Sequence, residues 1–396
     1  MRLWIESAYQ SLTRTGEETC GDAVRTLQTE EQFFAVLVSS PQGDGKAKTM
    51  PVADKAVALL EQGTPLEKVA EALLAALPGG EYMPFAILWV KTSEVSEDFL
   101  GAHLIECDAP PLFMTRAGRL VLLPVVEEES QGHLIRRCDF TVQDGDHMAM
   151  VSEGYIYPGP LRSTFNVKRS TWSGGPGRGS WRWQDVAVSI RRWTETGCDA
   201  EQLLGALIRT YHRLARGEPQ QDVTVIAMHV RPMRSATVWS GPPANPALDR
   251  VALEKLMAEP GMRLICGDTT AEIAARLLGV QLELEPRPED GWAEVPPIAH
   301  LEGVDLVTEG LVTLGKAREQ LAAAKRVQDL PRETNGATRL AQMLLTADTI
   351  HFIVGLAVNP KQAADTASTI ALRQIVIDNL VRDLKARGKV VSIEYL

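Results

Sequence analysis

Apolar positions in residues 1–232 alternate between short unbroken runs and runs spaced by three and four. Phe33–Val38 (FFAVLV) is an unbroken run closed by Ser, Pro and Gly, which predicts a buried strand. From Lys46 to Leu77, Ala and Leu recur at helical spacing. The break at Gly63–Pro65 lets Thr64-Pro65 open a second helix. Phe85–Val90, His103–Glu106, Pro111–Met114, Leu120–Val126 and Met148–Val151 predict further strands. Turn signals such as Ala117-Gly118 separate them, and Asp144-Gly145-Asp146 reads as a hairpin turn. Cys198–Arg216 has amphipathic spacing with Asp199 as N-cap, and Val223–Val230 closes this half as a strand.

Residues 233–247 are rich in Pro, Ser and Ala and predict a linker. Beyond it the pattern changes. Strand Met262–Cys266, helix Thr269–Leu278 and strand Gln281–Glu285 precede a Pro-rich loop. Helices over Thr308–Val327 and Thr338–Thr346 follow, then strand Thr349–Leu356, helix Asp365–Ala386 and strand Lys389–Glu394. His351, inside an apolar strand, reads as a packed core histidine. Strands alternating with helices predict a mainly parallel sheet. The chain is therefore α/β: a first domain over 1–232 and a second, smaller α/β domain over 248–396.

A length of 396 residues fits two cores better than one. The net charge of -10 argues against a nucleic-acid partner, since such proteins present a basic face; Arg162–Arg192 is the one basic stretch. The five cysteines are scattered without a CxxC pair, which fits a reducing cytosol and no structural zinc. No apolar run approaches the roughly 20 residues of a membrane span, and the N-terminus has no secretory core. A cytoplasmic protein without a membrane partner is expected.

Three segments far apart each place one carboxylate beside a turn: Gly16–Asp22 (GEETCGD), Asp144–Gly154 (DGDHMAMVSEG) and Gln221–Val225 (QDVTV). Phosphate-ester hydrolysis at neutral pH commonly uses two divalent ions about 4 Å apart, and hard cations need such oxygen ligands. Taken together, in this order and spacing, the segments resemble those of the SpoIIE family of PPM-type (PP2C-like) serine/threonine protein phosphatases. The resemblance implies a PP2C-like α/β/β/α sandwich over 1–232. It also implies Mg²⁺ or Mn²⁺ as cofactor, a metal-bound water as nucleophile, and a phosphorylated protein substrate in bacterial signalling. By it, Asp22, Glu153 and Asp222 are the metal-ligand positions; Glu153 stands where the family has Asp, and Gln221 replaces a neighbouring Asp. The family's Asp-Gly-x-Gly-x-Gly loop falls on Ser40–Gly45, so Ser40 occupies the position of the bridging aspartate, and Pro41 still offers a carbonyl oxygen. A missing bridge opens a second reading, a pseudophosphatase that binds a phosphoprotein or regulatory partner without turnover. The segments WSGPPANP, CGDTTAEIAARLLG and EGVDLVTEGLVTL resemble the C-terminal extension of a clostridial-type subgroup. There Gly267, Thr269 and Thr270 form either a ligand loop, through free amides at a helix start, or an ordinary cap made by Asp268 or Thr269.

Overall fold

The computed structural model describes residues 2–40, 46–77, 82–91, 99–130, 132–156, 183–215, 219–285, 298–333, 335–357 and 366–396. Contacts divide the chain into two units, Met1–Pro232 and Met233–Leu396.

Two antiparallel sheets form the first unit. One has the order β1-β11-β10-β6-β7, from β1 (Leu3–Leu12), β11 (Val223–Pro232), β10 (His147–Val151), β6 (Phe113–Arg116) and β7 (Arg119–Leu120). The other runs β2-β3-β4-β5-β9-β8, from β2 (Ala23–Gln28), β3 (Gln32–Val38), β4 (Phe85–Lys91), β5 (Leu100–Cys107), β9 (His133–Val142) and β8 (Val126–Ser130). The period of two along each strand explains the unbroken apolar runs. In β3, Phe33, Ala35 and Leu37 enter the core between the sheets, together with Met148, Met150, Ile226 and Met228 from the other sheet. Phe34, Val36 and Val38 face the opposite way, onto helices α1 (Lys46–Glu61) and α2 (Leu66–Leu74). In the same manner Ala149, Val151, Val225 and Ala227 pack under α4 (Trp183–Thr194) and α5 (Ala200–Ala215). Strands buried on both faces lose their polar alternation. The layering is α/β/β/α.

Several expectations need correction. Leu120–Val126 is not one strand, because β7 ends at Leu120 and β8 starts at Val126. The intervening Leu122 is exposed. Asp144-Gly145 does form a turn, with Gly145 at φ 81°, but β9 and β10 lie in different sheets, so it is a crossing and not a hairpin. The Arg116 guanidinium donates to both oxygens of buried Asp146 and fixes that crossing.

In the second unit the stretch expected as a linker holds β12 (Ser235–Ser240), in the interior of a seven-stranded sheet. It pairs in parallel with β13 (Met262–Cys266) and β17 (Thr349–Val354). Its alternating Ala236 and Val238 serve one core and Trp239 the other. Small residues made it look like a linker, yet they suit a strand enclosed on both faces. The parallel strands stand in the order β16-β13-β12-β17-β18, with β16 (Val304–Thr308) and β18 (Val390–Tyr395) outermost among them. β15 (Ala299–Leu301) and β14 (Glu283–Leu284) add antiparallel strands beyond β16. Helices α6 (Asp249–Ala258) and α7 (Asp268–Leu278) cover one face. α8 (Leu311–Ala323), α9 (Gly336–Thr346) and α10 (Thr366–Lys385) cover the other. The start expected for α8 at Thr308 is instead the end of β16, and Gly310 separates the two. His351 is not enclosed in the core; its Nδ1 lies 2.8 Å from the Ser392 hydroxyl on the neighbouring strand. No helix among the described residues is long and apolar enough to cross a membrane.

Candidate metal centre

Strand ends bring the predicted residues together. In one sheet Ala23 pairs with Val38, so Asp22 and Ser39-Ser40 leave the same end. In the other sheet Val151 pairs with Val225 and Leu12 with Val223, which puts Ser152-Glu153, Asp222 and the chain after β1 at one end. Both ends open on a cleft of about 190 Å³. Asp22, Ser40, Glu153 and Asp222 line it, with Arg14, Ser39, Ser152, Gly154, Gln220 and Gln221. Pro41 lies outside the described residues.

Asp222 locks the cleft's walls. Its Oδ1 accepts from the Arg14 amide at 3.0 Å and its Oδ2 from the Gly21 amide at 2.8 Å. The approach requires glycine. A Cβ on Gly21 would lie 2.9 Å from Asp222 Oδ2, and one on Gly154 would lie 2.2 Å from the Asp222 carbonyl oxygen. Thr49 ties the same loop to α1 by donating to the Gly21 carbonyl at 2.6 Å.

Asp22 is 2% exposed. Its Oδ1 accepts from the Ser40 amide at 3.2 Å, while its buried Oδ2 has no hydrogen-bond partner. Burial pushes its pKa up to about 6; the Thr224 and Ser152 hydroxyls and the Ser40 amide pull against that, and the Asp222 charge adds to it. A buried carboxylate with one unpaired oxygen, lining a cleft with two more carboxylates, offers oxygen donors of the kind a hard divalent cation takes. Ser40 contributes its amide to Asp22 and brings no charge of its own. Asp22, Glu153 and Asp222 line one cleft, but among the described residues they do not form a group whose ligand atoms all lie within 4.8 Å of one another, and Ser40 adds no charge that would bridge two cations. Cys20, next to this turn, is no nucleophile, since burial and the Asp22 charge push its thiol up to about 12.

Arg14 escaped the sequence reading. It lines the cleft, and its side chain pairs with Glu17 at 2.8 Å. Among the described residues, the group whose ligand atoms do lie within 4.8 Å of one another is Cys107, Asp108 and His133, elsewhere in the first unit. There His133 Nδ1 is 2.7 Å from Asp108 Oδ2 and the Leu134 amide donates to Oδ1, so the carboxylate is already satisfied. In the second unit the cap expected from Asp268 or Thr269 is absent. Gly267 is the N-cap of α7, at φ 137°, and no side chain caps the helix.

No protein-family model matches the chain, and no curated protein matches it. Solved structures do. The phosphatase domain of SpoIIE from Bacillus subtilis aligns over 58% of this chain and 93% of its own, at 12% identity and a TM-score of 0.41. RsbX in complex with magnesium aligns over 57% and 95%, at 13% identity and a TM-score of 0.39. The catalytic domain of the serine/threonine phosphatase PstP with two manganese ions aligns over 58% and 100%, at 13% identity and a TM-score of 0.35. At such identities and scores the likeness says nothing of what this chain does.

Proposed function

We propose that the first unit is a metal-dependent phosphatase domain of the PPM kind, acting on phosphoserine or phosphothreonine in a partner protein. The observation that carries this reading is buried Asp22, whose Oδ2 has no hydrogen-bond partner, lining one cleft with Glu153 and Asp222. Mg²⁺ or Mn²⁺, when bound there, supplies Lewis acidity and neutralises phosphoryl charge. Asp22, Glu153 and Asp222 would be its ligands, and Asp222 also keeps the Arg14 and Gly21 backbone in position. Arg14 offers the cleft a guanidinium for a phosphate dianion once its exposed pairing with Glu17 opens. Gln221, neutral and buried beside Asp222, adds no competing negative charge.

Ser40 supports a second reading, a phosphoprotein-binding domain with little or no turnover. Two adjacent cations without a bridging carboxylate keep more of their mutual repulsion. Hydrolysis of p-nitrophenyl phosphate with Mn²⁺ separates the two. We expect weak native activity that Asp22→Asn abolishes and Ser40→Asp raises by about tenfold or more. Activity only in Ser40→Asp supports the binding domain. Native activity that survives Asp22→Asn overturns the metal site itself.

A further inference from the structure

The parallel strands of the second unit begin in the middle of the sheet. From β12 the chain winds outward through β13 and β16, then returns to add β17 and β18 on the other side. The direction of winding reverses between β12 and β17. In open parallel sheets that reversal leaves a crevice at the carboxyl ends of the strands, where small ligands bind. Here those ends carry Gly241, Gly267 and Gly355, and none has room for a side chain. A Cβ would lie 2.3 Å from Arg373 Nη1 at Gly241, 3.0 Å from Thr270 Oγ1 at Gly267 and 2.0 Å from the Pro242 carbonyl at Gly355.

Three features converge on this edge. First, α7 starts without any side-chain cap. Gly267 is its N-cap, and among the described residues no acceptor meets the amides of Asp268, Thr269 and Thr270. Residues 268 and 269 are exposed, so this turn is open. Second, the Thr270 hydroxyl is enclosed, the residue being 0% exposed, and has no hydrogen-bond partner. It points at the space over Gly267, where a Cβ would also come within 3.9 Å of the Gly241 amide nitrogen. A buried hydroxyl without a partner is costly unless something supplies one. Third, Arg373 of α10 adjoins the other side of Gly241. Its Nη1 donates to the Gly355 carbonyl at 2.9 Å, and burial depresses its pKa, a cost that an anion relieves. The neighbouring α8 has a similar glycine N-cap and a buried, unpartnered Thr313, but Glu309 reaches its Thr313 amide at 3.4 Å. Of these two glycine-capped helices, α7 alone has no side-chain acceptor on its first-turn amides among the described residues. Two carboxylates, Asp268 and Glu309, adjoin the loops, so a dianion needs the compensating charge of Arg373.

We propose that the second unit binds a small phosphate monoester at this edge, with its phosphoryl group on the α7 amides and the Thr270 hydroxyl, and Arg373 as counter-charge. The proposal is independent of the phosphatase reading of the first unit.

Isothermal titration of the full chain in EDTA tests it, with inorganic phosphate, ribose 5-phosphate and AMP as separate probes. One saturable site per chain is expected for at least one probe. The order of the three tells whether free phosphate, the sugar or the base adds affinity. Thr270→Val and Arg373→Gln should each weaken binding about tenfold or more, Thr270→Ser should retain it, and Arg25→Gln, which breaks an exposed pair with Asp54 in the other unit, should leave it unchanged. Three results overturn the proposal: no binding of any probe below about 10 mM, equal affinity in Thr270→Val and Arg373→Gln, or loss on Arg25→Gln instead. Should Thr270→Val melt below the native chain, Thr270→Ser against Arg373→Gln still decides, because unaltered binding in Arg373→Gln removes the counter-charge from the argument.

Discussion

Asp22 shows how a proposed ligand position works against the stability of the metal-free fold. Its pKa rises from 3.8 to about 6, chiefly through burial. An acid whose folded-state pKa lies above its unfolded one holds more protons folded than unfolded between those values. Stability therefore declines as pH climbs through that window and stays lower above it. At 1.36 kcal/mol for each pH unit, the penalty above pH 6 is about 3 kcal/mol. In EDTA, Asp22→Asn should thus raise the melting temperature at pH 8 and leave it unchanged at pH 3.5, while removing stabilisation by Mn²⁺. A lower melting temperature for the variant at pH 8 would refute this account. Gly154 has the opposite character, since its missing side chain is what lets the backbone touch Asp222. Gly154→Ala should cost about 2 kcal/mol or more in urea unfolding and disable the cleft, because the added methyl drives the Glu153 turn away from Asp222. The turn carboxylates were legible in sequence because each stands beside a local strand-end signal. Arg14 was not. It reaches the cleft through the pairing of β1 with β11, and its amide meets a partner 208 positions away.

Among the elements, legibility followed enclosure. β3, β4, β10 and β11 are covered on both faces and announced themselves as unbroken apolar runs. β9 has one outermost neighbour and mixed polar positions, HLIRRCDFTV, and left no such signal. β12 was hidden by composition: a Pro- and Ser-rich context outweighed three residues, Ala236, Val238 and Trp239, that divide between two cores. Helix starts set by a side chain were readable where that side chain acts. Asp199 Oδ1 accepts from the Gln202 amide at 2.7 Å, and Gln202 Oε1 accepts from the Asp199 amide at 3.1 Å, a reciprocal cap ahead of α5. Asp199→Ala should destabilise the first unit by about 1 kcal/mol, measured as a shift in urea midpoint at constant slope. No shift would mean that α5 is held by its buried face alone.

At the scale of the molecule, the position of β12 decides what can stand by itself. A fragment of residues 233–396 keeps the inner strand that β13 and β17 both need, whereas 248–396 leaves those two strands without their shared partner. The longer fragment should melt cooperatively and the shorter should not, by circular dichroism. Equal behaviour of the two would mean that the sheet closes without β12. The first unit raises a different matter, which concerns order of assembly. Leu3 pairs with Pro232 and Leu12 with Val223, so the first strand of this unit waits during synthesis for its last. At ordinary elongation rates that interval is on the order of tens of seconds. Throughout it β1 has no ladder partner, and the carboxylates at the two sheet ends cannot meet. In that interval the edge of β1 is open to pairing with other chains until Val223–Pro232 is made.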